Sequence, residues 1–248
     1  MKTKNLHFAA IAAILLISCN KETVTIKTFK LSPKSINTYA YETTKLAIIP
    51  DDPDAYVYPI KWTITDDFVA EVDDIGYVKG LHIGNATIEA TNNYGGHAIC
   101  NVTVKPRYNL YEEPCTNWGA TKQEIKKLYG TPVQEQDNAL AYIVNQNKGI
   151  IMIYTFDDNG RLYAAVASRT YQKSEDLNEI KGYLNERYEF YQTLDSNLIY
   201  GNKMKPENAT LIVALNSNDY ENIIVLYTPN QGVNNAPQYS QIRKILHK

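Results

Sequence analysis

Histidine, tryptophan, methionine and cysteine are all scarce in this chain of 248 residues: four His, two Trp, three Met and three Cys. So few His and Cys leave little material for a metal centre or a thiol–imidazole pair. The motifs that would carry such chemistry are missing too: there is no Cys-x-x-Cys, no phosphate-cradling glycine loop and no Gly-x-Ser-x-Gly elbow. Excess charge is absent, with 25 basic residues against 27 acidic and a formal net charge of −2. A chain so balanced has no electrostatic footprint for nucleic acid. Long apolar runs are lacking as well. The longest, Phe8 to Ile17, falls short of the roughly 20 residues that a spanning helix needs.

What the chain has in quantity is tyrosine, 20 against five Phe. Rings that carry a hydroxyl can half-bury and favour contact surfaces, and strands use them freely. The apolar run at the start follows Lys2 and Lys4, the arrangement of an export signal. It ends in Leu16-Ile17-Ser18-Cys19, which resembles the lipobox of bacterial lipoproteins. That resemblance implies a leader over residues 1–18, a mature chain that begins at a lipidated Cys19, and a short tether over 19–23. The implied location is the cell envelope, with the outer membrane favoured because Asn20, not Asp, follows the cysteine. Whether the protein faces the periplasm or the surface stays open.

From residue 24 to 106 the chain consists of short β-rich runs broken by turn residues, the rhythm of a β-sandwich. Ile60, Trp62 and Ile64 alternate on one face of a strand, Ala86, Ile88 and Ala90 on another, and Ala98, Cys100, Val102 and Val104 on a third. The ordered segments Lys61-Trp62-Thr63, Val69-Ala70-Glu71-Val72-Asp73, Gly76-Tyr77-Val78, Gly84-Asn85-Ala86-Thr87-Ile88 and Val102-Thr103-Val104 resemble a group 2 bacterial immunoglobulin-like domain of the invasin/intimin type. The resemblance implies an all-β sandwich that serves as a spacer or adhesive unit.

After Pro106 helical signals enter, and residues 107–228 read as an α+β domain. Thr121 to Glu124 is a capping box, and Ile125, Leu128 and Tyr129 then fall on one helical face before Gly130 and Pro132 end the helix. Strands are expected over Ala139–Val144, Ile150–Phe156 and Leu162–Ser168, with Asn159-Gly160 turning the last hairpin. A second helix begins near Ser174 with Leu177, Ile180, Leu184 and Tyr188 inward, followed by strands over Phe190–Tyr200, Ala209–Leu215 and Ile223–Tyr227. Glu124-Ile125-Lys126 is echoed by Glu179-Ile180-Lys181, so the spacing predicts two αβββ units, their helices on one face of an antiparallel sheet. The stretch Trp118 to Thr121 with Gly130-Thr131-Pro132 bears a weak resemblance to small α+β envelope lipoproteins and the β-lactamase inhibitor protein. Residues 229–248 read as a flexible polar tail.

Candidate chemistry is thin. Cys115 has no histidine in its own domain, since His82 and His97 lie in the sandwich and His247 in the tail. Cys100 alternates with core residues, so a Cys100–Cys115 disulfide is disfavoured and two free thiols are expected. Asp51, Asp52 and Asp54 crowd one loop and are weak candidates for Ca²⁺, without the glycine-punctuated loop that such a site uses. Glu112 and Glu113 are adjacent rather than opposed, as glycosidic chemistry would need. No cofactor is expected, and an enzyme is the disfavoured class. The expectation is a non-catalytic, lipid-anchored binding, adhesion or scaffolding protein with a protein or glycan partner. Tyr142, Tyr154 and Tyr163 would be its contacts on an outer sheet face. An inhibitor or assembly factor for another envelope protein is the alternative.

Overall fold

The structure is a computed structural model that describes residues 27–170, 174–194, 196–216 and 222–230. The expected leader over 1–18, Cys19 and the expected tether over 19–23 lie outside the described residues, as does the expected tail beyond Asn230.

The first unit is a sandwich. Its strands are β1 (Phe29–Ser32), β2 (Ser35–Tyr39), β3 (Thr43–Lys45), β4 (Ala47–Pro50), β5 (Ile60–Ile64), β6 (Ala70–Val72), β7 (Tyr77–Gly80), β8 (Gly84–Asn92) and β9 (His97–Lys105). They form sheets of order β2-β9-β8-β5 and β3-β7-β6, with β1 paired to β4. Alternation places Ala86, Ile88, Ala90, Cys100, Val102 and Val104 inside, where they meet Phe29, Leu31, Ile36, Leu46 and Val78 in one core. Ile60, Trp62 and Ile64 pack against that core while staying partly open to solvent. Trp62 also explains Gly76: at φ 85°, a Cβ there would sit 2.9 Å from the indole.

The second unit begins with Leu110 and Tyr111, already buried in a separate core. Its elements are α1 (Lys122–Tyr129), β10 (Gln134–Gln136), β11 (Ala139–Asn145), β12 (Ile150–Phe156), β13 (Leu162–Thr170), α2 (Ser174–Asn185), β14 (Glu189–Leu194), β15 (Asn197–Gly201), β16 (Leu211–Asn216) and β17 (Asn222–Pro229). Eight strands form one antiparallel sheet of order β10-β11-β12-β13-β17-β16-β15-β14. The order is a palindrome. Each half runs helix then four strands, and the last strands, β13 and β17, pair along the centre from Ala165↔Tyr227 to Thr170↔Asn222.

The repeat is therefore αββββ, not the αβββ that the sequence predicts. The run Phe190–Tyr200 is two strands joined by a tight turn, where Ser196 takes φ 68° without the glycine that would announce it. The other addition, β10, is Gln-Glu-Gln on the sheet edge, and three polar residues give no apolar period to read.

Ile125 of α1 and Ile180, Tyr183 and Leu184 of α2 share a core with Leu140, Met152, Ala165, Val213 and Val225, so both helices lie on the same sheet face. Leu128, expected on the inner face of α1, is 64% exposed, whereas Ile125 is fully buried. A helix of two turns offers the sheet one narrow stripe, and here Ile125 and the partly buried Tyr129 fill it. The opposite sheet face carries a smaller cluster of Ala164, Val166, Ala214, Ile224 and Leu226. The sheet also extends past residue 228: Pro229 pairs with Leu211, and the Asn230 amide N–H bonds Thr210 O at 3.0 Å.

Candidate functional site at the junction of the two units

The tyrosines expected to form a contact surface do not form one. Tyr142 is 6% exposed and Tyr154 1%, because both point to the helix side of the sheet, where they gather with Tyr129 at centroid distances of 5.2–6.0 Å. Tyr163 lies partly buried against the opposite cluster. The sequence reading had the sheet but not the side: in β11 and β12 the even-numbered residues meet the helices. Burial raises the Tyr154 phenol far above its ordinary value and Tyr142 more modestly.

The loop carboxylates also have ordinary work. Asp51 pairs with Lys30 at 2.7 Å, and Asp52 Oδ1 accepts the Asp54 N–H at 3.0 Å. Among the described residues no three His, Cys, Asp or Glu side chains gather as a metal would need. Cys100 and Cys115 are free thiols, the first inside the sandwich core and the second half-buried against the other. Thr121 caps α1 as read, its hydroxyl accepting the Glu124 N–H while Glu124 returns to the Thr121 N–H at 2.8 Å.

Polar groups converge instead at the junction, around the end of α2. Glu186 is buried, and its carboxylate sits at a helix C-terminus, where the helix dipole disfavours negative charge. It is compensated by donors. Oε2 accepts the Arg107 N–H at 2.8 Å, and Oε1 accepts the Tyr108 N–H at 3.0 Å and Arg187 NH1 at 2.7 Å. The same residue's carbonyl accepts the Ile83 N–H of the first unit at 2.7 Å. One residue thus holds the linker, its neighbouring arginine and the first unit. Tyr41 of the first unit adds its hydroxyl, which donates to Asn185 O at 2.9 Å.

His82 closes one side. It is buried, stacked on Phe68 at 4.0 Å, and its Nδ1 lies 2.7 Å from the Phe68 carbonyl, which makes that nitrogen the donor. Its Nε2 lies 3.5 Å from Glu189 of the second unit. Burial holds the imidazole below its ordinary value of 6.5, against the opposing pull of the Phe68 carbonyl and Glu189. Beneath the junction Tyr108 lies across α2 at Gly182, where a Cβ would collide with its ring. Sequence offered one signal for this arrangement, a glycine inside a helix, which commonly marks close packing. It offered none for Glu186.

Between the units a cleft of about 360 Å³ remains. Phe68 and Ile83 form its wall on the first unit, and Glu113, Thr116, Arg187 and Leu211 face them from the second. A hollow of about 400 Å³ on the first unit, bordered by Glu71, Asp73 and Lys79, is less apt for a ligand. Its charges are spent on each other, with Lys79 3.3 Å from Glu71, and Asp73 accepting the N–H groups of Ile75 and Tyr77.

Among curated proteins nothing matches this chain. Of solved structures, domains 4–9 of the surface layer protein SbsC align at 12% identity over 84% of this chain and 27% of that one. The TM-score is 0.27, too low to establish a shared fold. This chain therefore spans about a quarter of the length of that solved chain. In the first unit, residues 25–102 match the model of the bacterial Ig-like domain (group 2).

Proposed function

We propose that this is a lipid-anchored protein of the cell envelope with a non-catalytic binding or scaffolding role. In this reading the Ig-like unit sets the eight-stranded unit off from the membrane. The observation that carries it is the Ig-like match at residues 25–102, which follows the basic residues Lys2 and Lys4, the apolar run Phe8 to Ile17 and Cys19 in the sequence. The junction supports the same reading, because a spacer that is bonded to its cargo through Glu186, Tyr41 and Ile83 holds that cargo at a set distance and angle. Glu186 is occupied in the same structural task, its carboxylate by three donors and its carbonyl by the Ile83 N–H.

Labelling with an alkyne analogue of palmitate tests the anchor. The natural chain takes up label and pellets with membranes, while Cys19→Ala does neither. Label retained in Cys19→Ala would overturn the reading. A second reading, an inhibitor or assembly factor for another envelope protein, is favoured by the duplicated αββββ unit, whose pseudo-symmetric sheet offers one broad face. Co-purification of a single stoichiometric protein would select it.

A further inference from the structure

The cleft between the units contains an arginine whose hydrogen-bonding capacity is only partly used. The Arg187 side chain is 7% exposed and its guanidinium carbon lies 3.8 Å from the Tyr183 ring centroid, so the plane of the fork is fixed. NH1 is spent twice, on Glu186 Oε1 at 2.7 Å and on the Tyr183 carbonyl at 3.2 Å. A guanidinium has five N–H donors. Among the described residues Nε and NH2 donate to no protein acceptor. No fully buried side-chain nitrogen or oxygen there lacks a partner. The free edge is therefore not fully enclosed, and Arg187 is among the residues that line the cleft.

Glu113 has the complementary shortfall. One of its oxygens accepts the Tyr188 hydroxyl, and among the described residues the other has no protein donor. Phe68, Ile83 and Leu211 add an apolar wall to the same space. The volume is within the range of small-ligand sites, which pair an apolar lining with a few fixed polar groups and favour domain interfaces.

We propose that this cleft captures the C-terminal end of a short peptide. The Nε/NH2 edge of Arg187 presents two parallel N–H groups, the geometry that receives a carboxylate in bidentate fashion. The free oxygen of Glu113 accepts the amide N–H next to that carboxylate, and the apolar wall takes the last side chain. A doubly charged phosphate fits less well, because Glu113 and Glu186 repel it more strongly than a singly charged carboxylate and because it brings no N–H for the free oxygen of Glu113. The proposal rests on the non-catalytic binding reading above and gives it a ligand class.

The test uses the full chain titrated with N-acetyl-alanyl-alanine, with the C-terminal amide of the same peptide and with inorganic phosphate, followed by NMR. The acid should shift the backbone resonances of Ile83 and Thr116 saturably. The amide should bind at least about tenfold more weakly, as should phosphate. Arg187→Lys should weaken the acid about tenfold. Because Arg187 is packed, Ile83→Trp serves as the second variant: it fills the cleft from the other unit and should abolish binding in a folded protein. Acid and amide binding equally, phosphate competing as well as the acid, or no saturable shift up to about 10 mM acid would each overturn the proposal. None of these outcomes bears on Cys19 or on membrane pelleting, so the site and the anchor stand or fall separately.

Discussion

At the scale of single residues the second unit is unusual for the hydroxyls in its core. Tyr111 and Tyr227 share a hydrogen bond of 2.8 Å, Tyr183 donates to the Tyr111 carbonyl at 3.1 Å, and Tyr188 packs edge-on against Tyr227 at 6.1 Å. Burial drives the phenols of Tyr111 and Tyr183 far above their ordinary range, and raises Tyr200 to about 12. These groups are therefore neutral at neutral pH. In the second unit their abundance therefore reports on the core, whereas Tyr39, Tyr41, Tyr56, Tyr58 and Tyr77 of the first unit are exposed. The pair has a thermodynamic signature. Tyr227→Phe leaves the Tyr111 hydroxyl buried without its partner, at about 1–3 kcal/mol. Adding Tyr111→Phe should recover part of that loss, and denaturant unfolding of the two single variants and the double variant measures it. Additive losses would show that the hydroxyls are not coupled.

At the scale of elements, Gly182 in α2 separates intrinsic preference from packing. Helix propensity alone says that Gly182→Ala should stabilise by roughly 0.5–1 kcal/mol. The Tyr108 ring, in collision with the added methyl, says the opposite, and overpacking of that kind costs about 1–3 kcal/mol. The packing effect is the larger, so Gly182→Ala should lower the thermal midpoint, and the paired variant Tyr108→Ala/Gly182→Ala should not lose further by the alanine.

The elements also show what was legible in the sequence. The capping box at Thr121, the Asn159-Gly160 hairpin and the alternation of β8 and β9 are local patterns, and each is present in the structure. What was not legible depends on distance. Which face of β11 and β12 meets the helices is set by the sheet's assembly, so Tyr142 and Tyr154 could be placed on a face but not inward or outward. The turn at Ser196 adopts a positive φ with a residue that does not advertise it. Glu186 looks like one more acid at a helix end, and its role comes from the amides of Arg107 and Tyr108, 79 and 78 residues away along the chain.

At the scale of the whole molecule, two separate cores are joined by a few buried polar contacts. Stability should respond to pH through His82. Its folded value lies below 6.5 because burial disfavours the charged form. The unfolded chain takes up the proton first as pH falls through about 6.5, so stability is lost from there down to the lower folded value and is unaffected above. Asp66 and Glu189 face the ring and moderate the effect. Urea midpoints at pH 7.5 and 5.5 should therefore differ more for the natural chain than for His82→Gln, and an equal difference would remove His82 from the account. The bond set of Glu186 is the stronger tie. Glu186→Ala leaves Arg187 as a buried charge without its counter-ion, a loss of about 3–5 kcal/mol by analogy with other broken buried pairs.

The central claim is that the Ig-like unit and the eight-stranded unit are held as one body through Glu186. Spin labels at exposed Glu71 and Lys127, in a chain with Cys100→Ala and Cys115→Ser, would report the distance between the units by pulsed electron resonance. One narrow distance distribution is expected, and it broadens in Glu186→Ala because the linker amides of Arg107 and Tyr108 lose their carboxylate anchor, although the Ile83 N–H keeps its bond to the main-chain carbonyl of residue 186. A broad distribution in the chain that retains Glu186, or a narrow one that survives its removal, would contradict the claim.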